Sequence, residues 1–286
     1  MLTPTPVLRE DGIIRIYAGM RDSDGVSRIG YIDVLANNPL KVVRVSSRPV
    51  LDIGRPGMFD DNGMILGDVL RDDDGTWRMY YVGFQLGVKH KFSAFSGLAI
   101  STDNGETFVR LQDSPIMDRT ENGLFIRAIH SVLKEDGVWK IWYSVGCGWR
   151  VINSVPYPEY YIRYTESVDG VTFPDRVGVE CVNTAENEYR IGRPRVRKRD
   201  DGVYEMRYTF DTLDKKYTAG YAESVDGIKW DRMDDRSAIR CSSSGWDSEM
   251  ACYPCVLNLG DKKYMFYSGN NMGETGVGLA EWAEDD

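Results

Sequence analysis

Asp247 and Glu249 stand two residues apart in SGWDSEMACYP (244–254), where the following Met250, Ala251 and Cys252 ask for a dry interior. A buried charge without a partner costs several kcal/mol, so acids placed there need counter-ions, water or a chemical task. The same mixture of acid with Asn, Gly or Ser recurs in FDDNGM (59–64), TENGLF (120–125) and AENEYR (185–190). Asp60, Asp61, Glu121 and Glu188 thereby join Asp247 and Glu249 in one candidate set. Each of these segments is followed by counter-groups or sits beside aromatics. Arg127 and His130 lie in FIRAIHSV, Arg193 and Arg195 in GRPRV, Tyr253 in CYPCV, and Trp246 precedes Asp247. Guanidinium groups would keep some carboxylates ionised while crowding raises the pKa of others. Two carboxyl groups with separated pKa values can run glycoside hydrolysis. One delivers a proton to the leaving oxygen, and the other activates water or attacks the anomeric carbon. Tyr, Trp and Asn suit sugar hydroxyls and the apolar face of a ring. For any single acid the plain alternative is a solvated loop residue. His130 reads either as an axial group orienting a carboxylate or a metal-bound water, or as an ordinary buried histidine. His90, in GVKHKF, reads as surface or as a flap over the site.

Bringing these acids together requires elements that repeat. Five segments share an alternating aromatic strand ending in small residues: RIYAGM (15–20), RMYYVGF (78–84), KIWYSVG (140–146), EMRYTFD (205–211) and YMFYSGN (264–270). Their markers Tyr17, Tyr81, Tyr143, Tyr208 and Tyr267 are spaced by 64, 62, 65 and 59 residues. A strand and an acidic turn precede each marker (LREDG, LRDDDG, LKEDG, KRDDG, LNLGD), and a third strand follows it. Asp-Gly between alternating apolar runs is a hairpin signal. A weaker fourth strand such as KVVRV (41–45) completes the unit, and apolar residues recur at period two, not at 3.6. Five such units over residues 1–286 predict one all-β domain, a five-bladed β-propeller with four antiparallel strands per blade. A pair of β-sandwiches shares the short strands but gives no reason for a five-fold step. In a propeller the first strand of each blade lines the central channel, so the acids would converge at one end of it. Arg193 and Tyr253 occupy equivalent x-Pro-x-Val positions and should both face the channel. STDNGETF (101–108) matches the Asp-box hairpin of sialidases and is expected to be structural.

Composition narrows the function class. The chain has 286 residues, 42% hydrophobic and 28% charged, with a net charge of −9. That balance argues against nucleic acid or an anionic membrane as partner. The N-terminus lacks a signal-peptide pattern, and no apolar run is long enough to span a bilayer. Five cysteines at irregular spacing do not form a disulfide or zinc framework, so a reducing cytoplasm is expected. No nucleotide or cofactor fingerprint stands out, and neither a cofactor nor a metal is expected.

Architecture and motifs together resemble the five-bladed β-propeller glycosidases, a superfamily of arabinanases, β-xylosidases, invertases, levansucrases and mannoside phosphorylases. More specifically, GMFDDNGM, ENG, GRPRV, ESVDGIKW, GWDSEMACYP and YMFYSGNNMGETGVGLAEW are similar to glycosidase-like proteins encoded among bacterial surface-polysaccharide genes. The resemblance implies a base or nucleophile at Asp61 or Asp60, an acid at Glu249 or Glu188, and Asp247 as tuner of the acid. The chain departs from it in having no Asn-Asp-Pro-Asn or Arg-Asp-Pro, and in a first channel strand, LTPTPV, without a carboxylate. Two functions follow: an enzyme that cleaves or transfers a glycosidic bond, or a non-catalytic propeller that binds a glycan or a protein. In the transfer case the three arginines could meet a phosphate or a sugar acid.

Overall fold

The computed structural model describes residues 1–174, 178–214 and 217–282. Strand follows strand with almost no helix; short helical turns occur only at Asp234–Arg236 and Asn270–Gly273 among the described residues. The strands form consecutive antiparallel meanders. The first comprises β1 (Leu2–Leu8), β2 (Ile13–Arg21), β3 (Ser27–Leu35) and β4 (Asn38–Val45). The second is β5 (Met64–Arg71), β6 (Trp77–Leu86), β7 (Phe92–Ser101) and β8 (Val109–Arg110), and the third is β9 (Ile126–Glu135), β10 (Val138–Ile152), β11 (Val155–Ser167) and β12 (Val179–Glu180). A short parallel pairing of β7 with β9 joins these two into an eight-stranded sheet. The fourth contains β13 (Glu188–Lys198), β14 (Tyr204–Thr212), β15 (Thr218–Ser224) and β16 (Asp231–Arg232). Among the described residues the last has three strands where four were expected: β17 (Cys252–Leu259), β18 (Lys262–Ser268) and β19 (Val277–Glu281).

The aromatic markers sit on β2, β6, β10, β14 and β18, the second strand of each meander, and all are buried. The first strands pack in succession, β1 on β5, β5 on β9, β9 on β13 and β13 on β17, and β17 packs back on β1. The N-terminal amine of Met1 donates to the Gly273 carbonyl between the last meander and the first.

Acidic turns hold neighbouring meanders together. In the turn after β7, Asp103 accepts from the Ser101 hydroxyl, the Thr107 hydroxyl and two backbone amides. The turn at Asp169 repeats this pattern, and the turn at Asp226 repeats it without the threonine hydroxyl. Each fixed turn offers a glycine carbonyl to the preceding meander. Tyr17 donates to Gly105 at 2.8 Å, Tyr80 to Gly170 at 2.9 Å and the Trp142 indole to Gly227 at 2.8 Å. Gly170 is required there: its φ is +72°, and a Cβ would lie 2.6 Å from the Tyr80 hydroxyl.

Candidate functional site

The five first strands share one irregularity. Register slips between Leu2 and Thr5, Leu66 and Asp68, Gly192 and Arg195, and Cys252 and Cys255; on β9 it slips between Ile129 and Ser131, opposite Tyr143 and Trp142. A bulge inserts residues that lack a partner and re-aims their side chains. Among the residues so released, Thr3, Gly67, His130, Arg193 and Tyr253, one from each meander, line a narrow neck together with Leu66 and Arg195. Three of them precede proline and take left-handed backbone: Thr3 (φ 51°), Arg193 (φ 58°) and Tyr253 (φ 56°). Such a conformation costs a non-glycine residue about 1–2 kcal/mol. Gly67 is glycine because a Cβ there would lie 2.4 Å from the Ile129 carbonyl oxygen.

On one side of the neck opens a cavity of about 370 Å³, with His130, Arg193 and Tyr253 at its floor. The bulges thus place Arg193 and Tyr253 where their shared x-Pro-x-Val pattern pointed. The wall owes much to the β10–β11 hairpin, 15 and 13 residues long, which turns at Asn153 and Ser154 and lends Tyr157 and Tyr160. Tyr217, Phe92, Asn62 and Ser144 contribute further. Arg190 is 6% exposed and clasps Asp211 at 2.6 Å, with its guanidinium carbon 5.0–5.8 Å from the rings of Tyr157, Tyr160, Tyr189 and Tyr217. Burial, reinforced by Arg193 and Arg195, lowers the His130 pKa well below the usual imidazole value, so the ring is neutral at pH 7. On the other side of the neck a space of about 230 Å³ contains Asp68, which accepts from Arg195 at 2.9 Å and from the amide of Val132. Burial raises the Asp68 pKa against the pull of Arg195.

Among the described residues, no carboxylate lines the larger cavity. Asp60 is fully buried and paired with Arg110 at 2.7 Å. Asp61 accepts from the amide of Gly57 in the same loop, and its neighbour Asn62 reaches the wall. Glu188 makes a two-pronged pair with Arg232 at 2.8 and 2.6 Å and also accepts from the amide of Ala185. Asp247 is buried and accepts from the Tyr267 hydroxyl at 2.8 Å. Glu249 and Glu121 are exposed. Arg127 alternates away from Ala128 and donates to the Asp118 carbonyl at 2.8 Å. Trp246 lies against Tyr267 with ring centroids 5.3 Å apart. Arg195 turns to Asp68 and Thr5. Of the twelve sequence-derived candidates, the structure brings His130, Arg193 and Tyr253 together at the cavity, with Arg195 beneath them at the neck.

Sequence reasoning missed Tyr157, Tyr160, Arg190, Tyr217, Asn62 and Asp68. The aromatic run VPYPEYY (155–161) was a signal for the first two. The others needed the fold. His90 is folded back on Ser93 at 2.8 Å, and the adjacent Lys91 lines the cavity. Among the described residues no three His, Cys, Asp or Glu side chains assemble as metal ligands, and no helix is long and apolar enough to cross a membrane.

Solved structures share this architecture at low identity. A glycoside hydrolase superposes with a TM-score of 0.76 at 20% identity, over 98% of this chain and 86% of that one. A thermostable family-43 glycoside hydrolase gives 0.71 at 16%, over 100% and 90%. An endo-arabinase from Bacteroides thetaiotaomicron gives 0.70 at 12%, over 100% and 95%. The chain therefore has the propeller-type fold of glycoside hydrolases. No protein-family model matches it. Two Mycobacterium tuberculosis proteins, "Uncharacterized protein Rv1502" of strain H37Rv and "Uncharacterized protein MT1551" of strain CDC 1551, are each 34% identical over 278 residues, covering 97% of this chain and 90% of theirs. With that identity running nearly end to end, the chain belongs to the family of these mycobacterial proteins.

Proposed function

We propose that the five meanders form a five-bladed propeller, and that the protein is a glycosidase-type enzyme that breaks or transfers a glycosidic bond of a saccharide bound in the axial cavity. The observation that carries this reading is the cavity itself. About 370 Å³ of space on the axis is walled by Tyr157, Tyr160, Tyr217 and Tyr253, with Asn62 and Ser144 as neutral polar groups. That volume falls in the range of small-molecule sites. Aromatic faces against C–H surfaces and a few placed hydrogen-bond groups are how sugars are held. In this reading the acid and base come from the approaches to the cavity. Asp61 stands next to wall residue Asn62, and Glu249 is an exposed acid four residues before Tyr253. Arg193, His130 and Tyr253 bind the sugar.

One observation favours a second reading, a glycan-binding propeller without turnover: among the described residues, no carboxylate lines the cavity wall. Product release from an oligosaccharide library separates the two. The enzyme reading expects turnover in the wild type and a fall of about 10²–10⁴-fold in Asp61→Asn or Glu249→Gln with sugar affinity retained. Unchanged turnover in both variants would defeat the assignment of these acids. Tight binding with no product from any glycan would leave the second reading standing.

A further inference from the structure

We propose that the floor of the axial cavity is an oxyanion site, in which Arg193 docks a carboxylate or phosphoryl group belonging to the bound saccharide. The inference rests on the reading that the cavity receives a sugar, and it names the class of sugar.

Charge points to an anion. The protein carries a net charge of −9, yet among the described residues the cavity is lined by Arg21, Lys91, Arg190 and Arg193 and by no acid. A wall of one sign inside a chain of the other sign is a local field aimed at an anion. Arg190 is committed to Asp211. Arg193 forms no ion pair among the described residues; its guanidinium stacks 5.3 Å from the centre of the Tyr253 ring, and its Nη1 is buried with no hydrogen-bond partner.

That arrangement is also costly. A buried donor left unmet forfeits about 1–3 kcal/mol, and more when charged. Arg193 adds left-handed backbone to this. The Thr3 hydroxyl, on the facing bulge of the same neck, is likewise buried and unpaired. Two unmet polar groups on strained backbone, both lining one constriction, are explained by a ligand that accepts from both. The neck holds only about 10 Å³, so the anion sits on the cavity side with at most one atom directed into the neck. A planar guanidinium presents paired donors that match the two oxygens of a carboxylate or phosphoryl group, a match that a sugar hydroxyl cannot offer.

Calorimetric titration of the full chain with matched probes tests this. The pairs are oligogalacturonate against its carboxyl-reduced form and glucose 1-phosphate against glucose, with inorganic phosphate alone as a third arm. The expected result is at least tenfold tighter binding of an acidic member, weakening as sodium chloride is raised. Arg193→Gln should remove that preference, and Arg193→Lys should keep part of it. The carboxylate and phosphate arms identify which oxyanion is taken. Inorganic phosphate matching the sugar phosphate would assign the site to a free anion and overturn the docking of a saccharide's own group. Equal affinity for acidic and neutral members, no binding of any anion, or a preference unchanged in Arg193→Gln would overturn the proposal. If Arg193→Gln does not fold, the salt dependence of the wild type decides, and a salt-independent affinity overturns it. Turnover of a neutral glycan without acidic preference would sink this inference and spare the enzymatic reading. Arg193-dependent binding of an acidic sugar without product would do the reverse.

Discussion

The acidic turns between meanders and the bulged neck treat their polar groups in opposite ways. At the turns, Asp103, Asp169 and Asp226 each spend their oxygens on nearby hydroxyls and amides. The glycine carbonyls of those turns are claimed by Tyr17, Tyr80 and Trp142. At the neck, Thr3 and Arg193 hold buried polar atoms without partners on left-handed backbone. Satisfied polar groups mark where a fold is held together. Unpaired buried atoms also occur elsewhere, at Trp77 and Tyr81 among others, but at the neck they coincide with left-handed backbone and an adjoining cavity, the combination on which the proposed oxyanion site rests.

The contrast between the two regions should show most strongly at Arg15. This side chain is 1% exposed and grips Asp33 at 2.8 Å, Glu106 at 2.7 Å and the Gly105 carbonyl at 3.1 Å. Arg15→Met leaves the buried Asp33 without its counter-charge, takes from Glu106 one of three arginines, and should cost about 3–5 kcal/mol in urea unfolding. The sugar binding proposed for the cavity should be untouched; a lost binding signal in folded protein would deny the separation of the two regions.

The neck predicts the opposite sign. Thr3→Gly relieves left-handed backbone and removes an unpaired buried hydroxyl, against the extra unfolded-state freedom of glycine. The net expectation is a gain of about 1 kcal/mol, read from the same unfolding curves. Destabilisation by this substitution would mean the neck is not strained.

The smallest effect is in acid. Burial alone would raise the Glu106 pKa, but hydrogen bonds from Arg15, Arg44 and Tyr31 outweigh it and hold the carboxyl at about 2. Its stabilising contribution is therefore complete above the unfolded value of about 4.5 and is lost as pH falls from there towards about 2. Thermal melts of wild type and Glu106→Gln should converge across that window. Curves that stay parallel would remove Glu106 from the clasp.

Legibility in the sequence followed the range of the interactions. Period-two alternation, Asp-Gly turns and the Tyr17, Tyr81, Tyr143, Tyr208 and Tyr267 spacing are local signals, and they located the strands and the repeat. The last meander fell outside the rule, with three strands in place of four among the described residues. The acids were harder to read. FDDNGM announced carboxylates but not that Asp60 would be sealed by Arg110, fifty residues away, while Asn62 took the place at the wall. Likewise Glu188 was legible as an acid but not as the partner of Arg232.

By itself, the sequence determined the all-β repeat, the structural turns, and the direction of Arg193 and Tyr253, because short-range hydrogen bonding and side-chain alternation are written in neighbouring residues. Only the tertiary structure decided which charges meet. Ion pairing depends on distances between strands far apart in the chain, and those distances tied Asp60 to Arg110 and Glu188 to Arg232 while leaving Arg193 at the neck with an unmet donor.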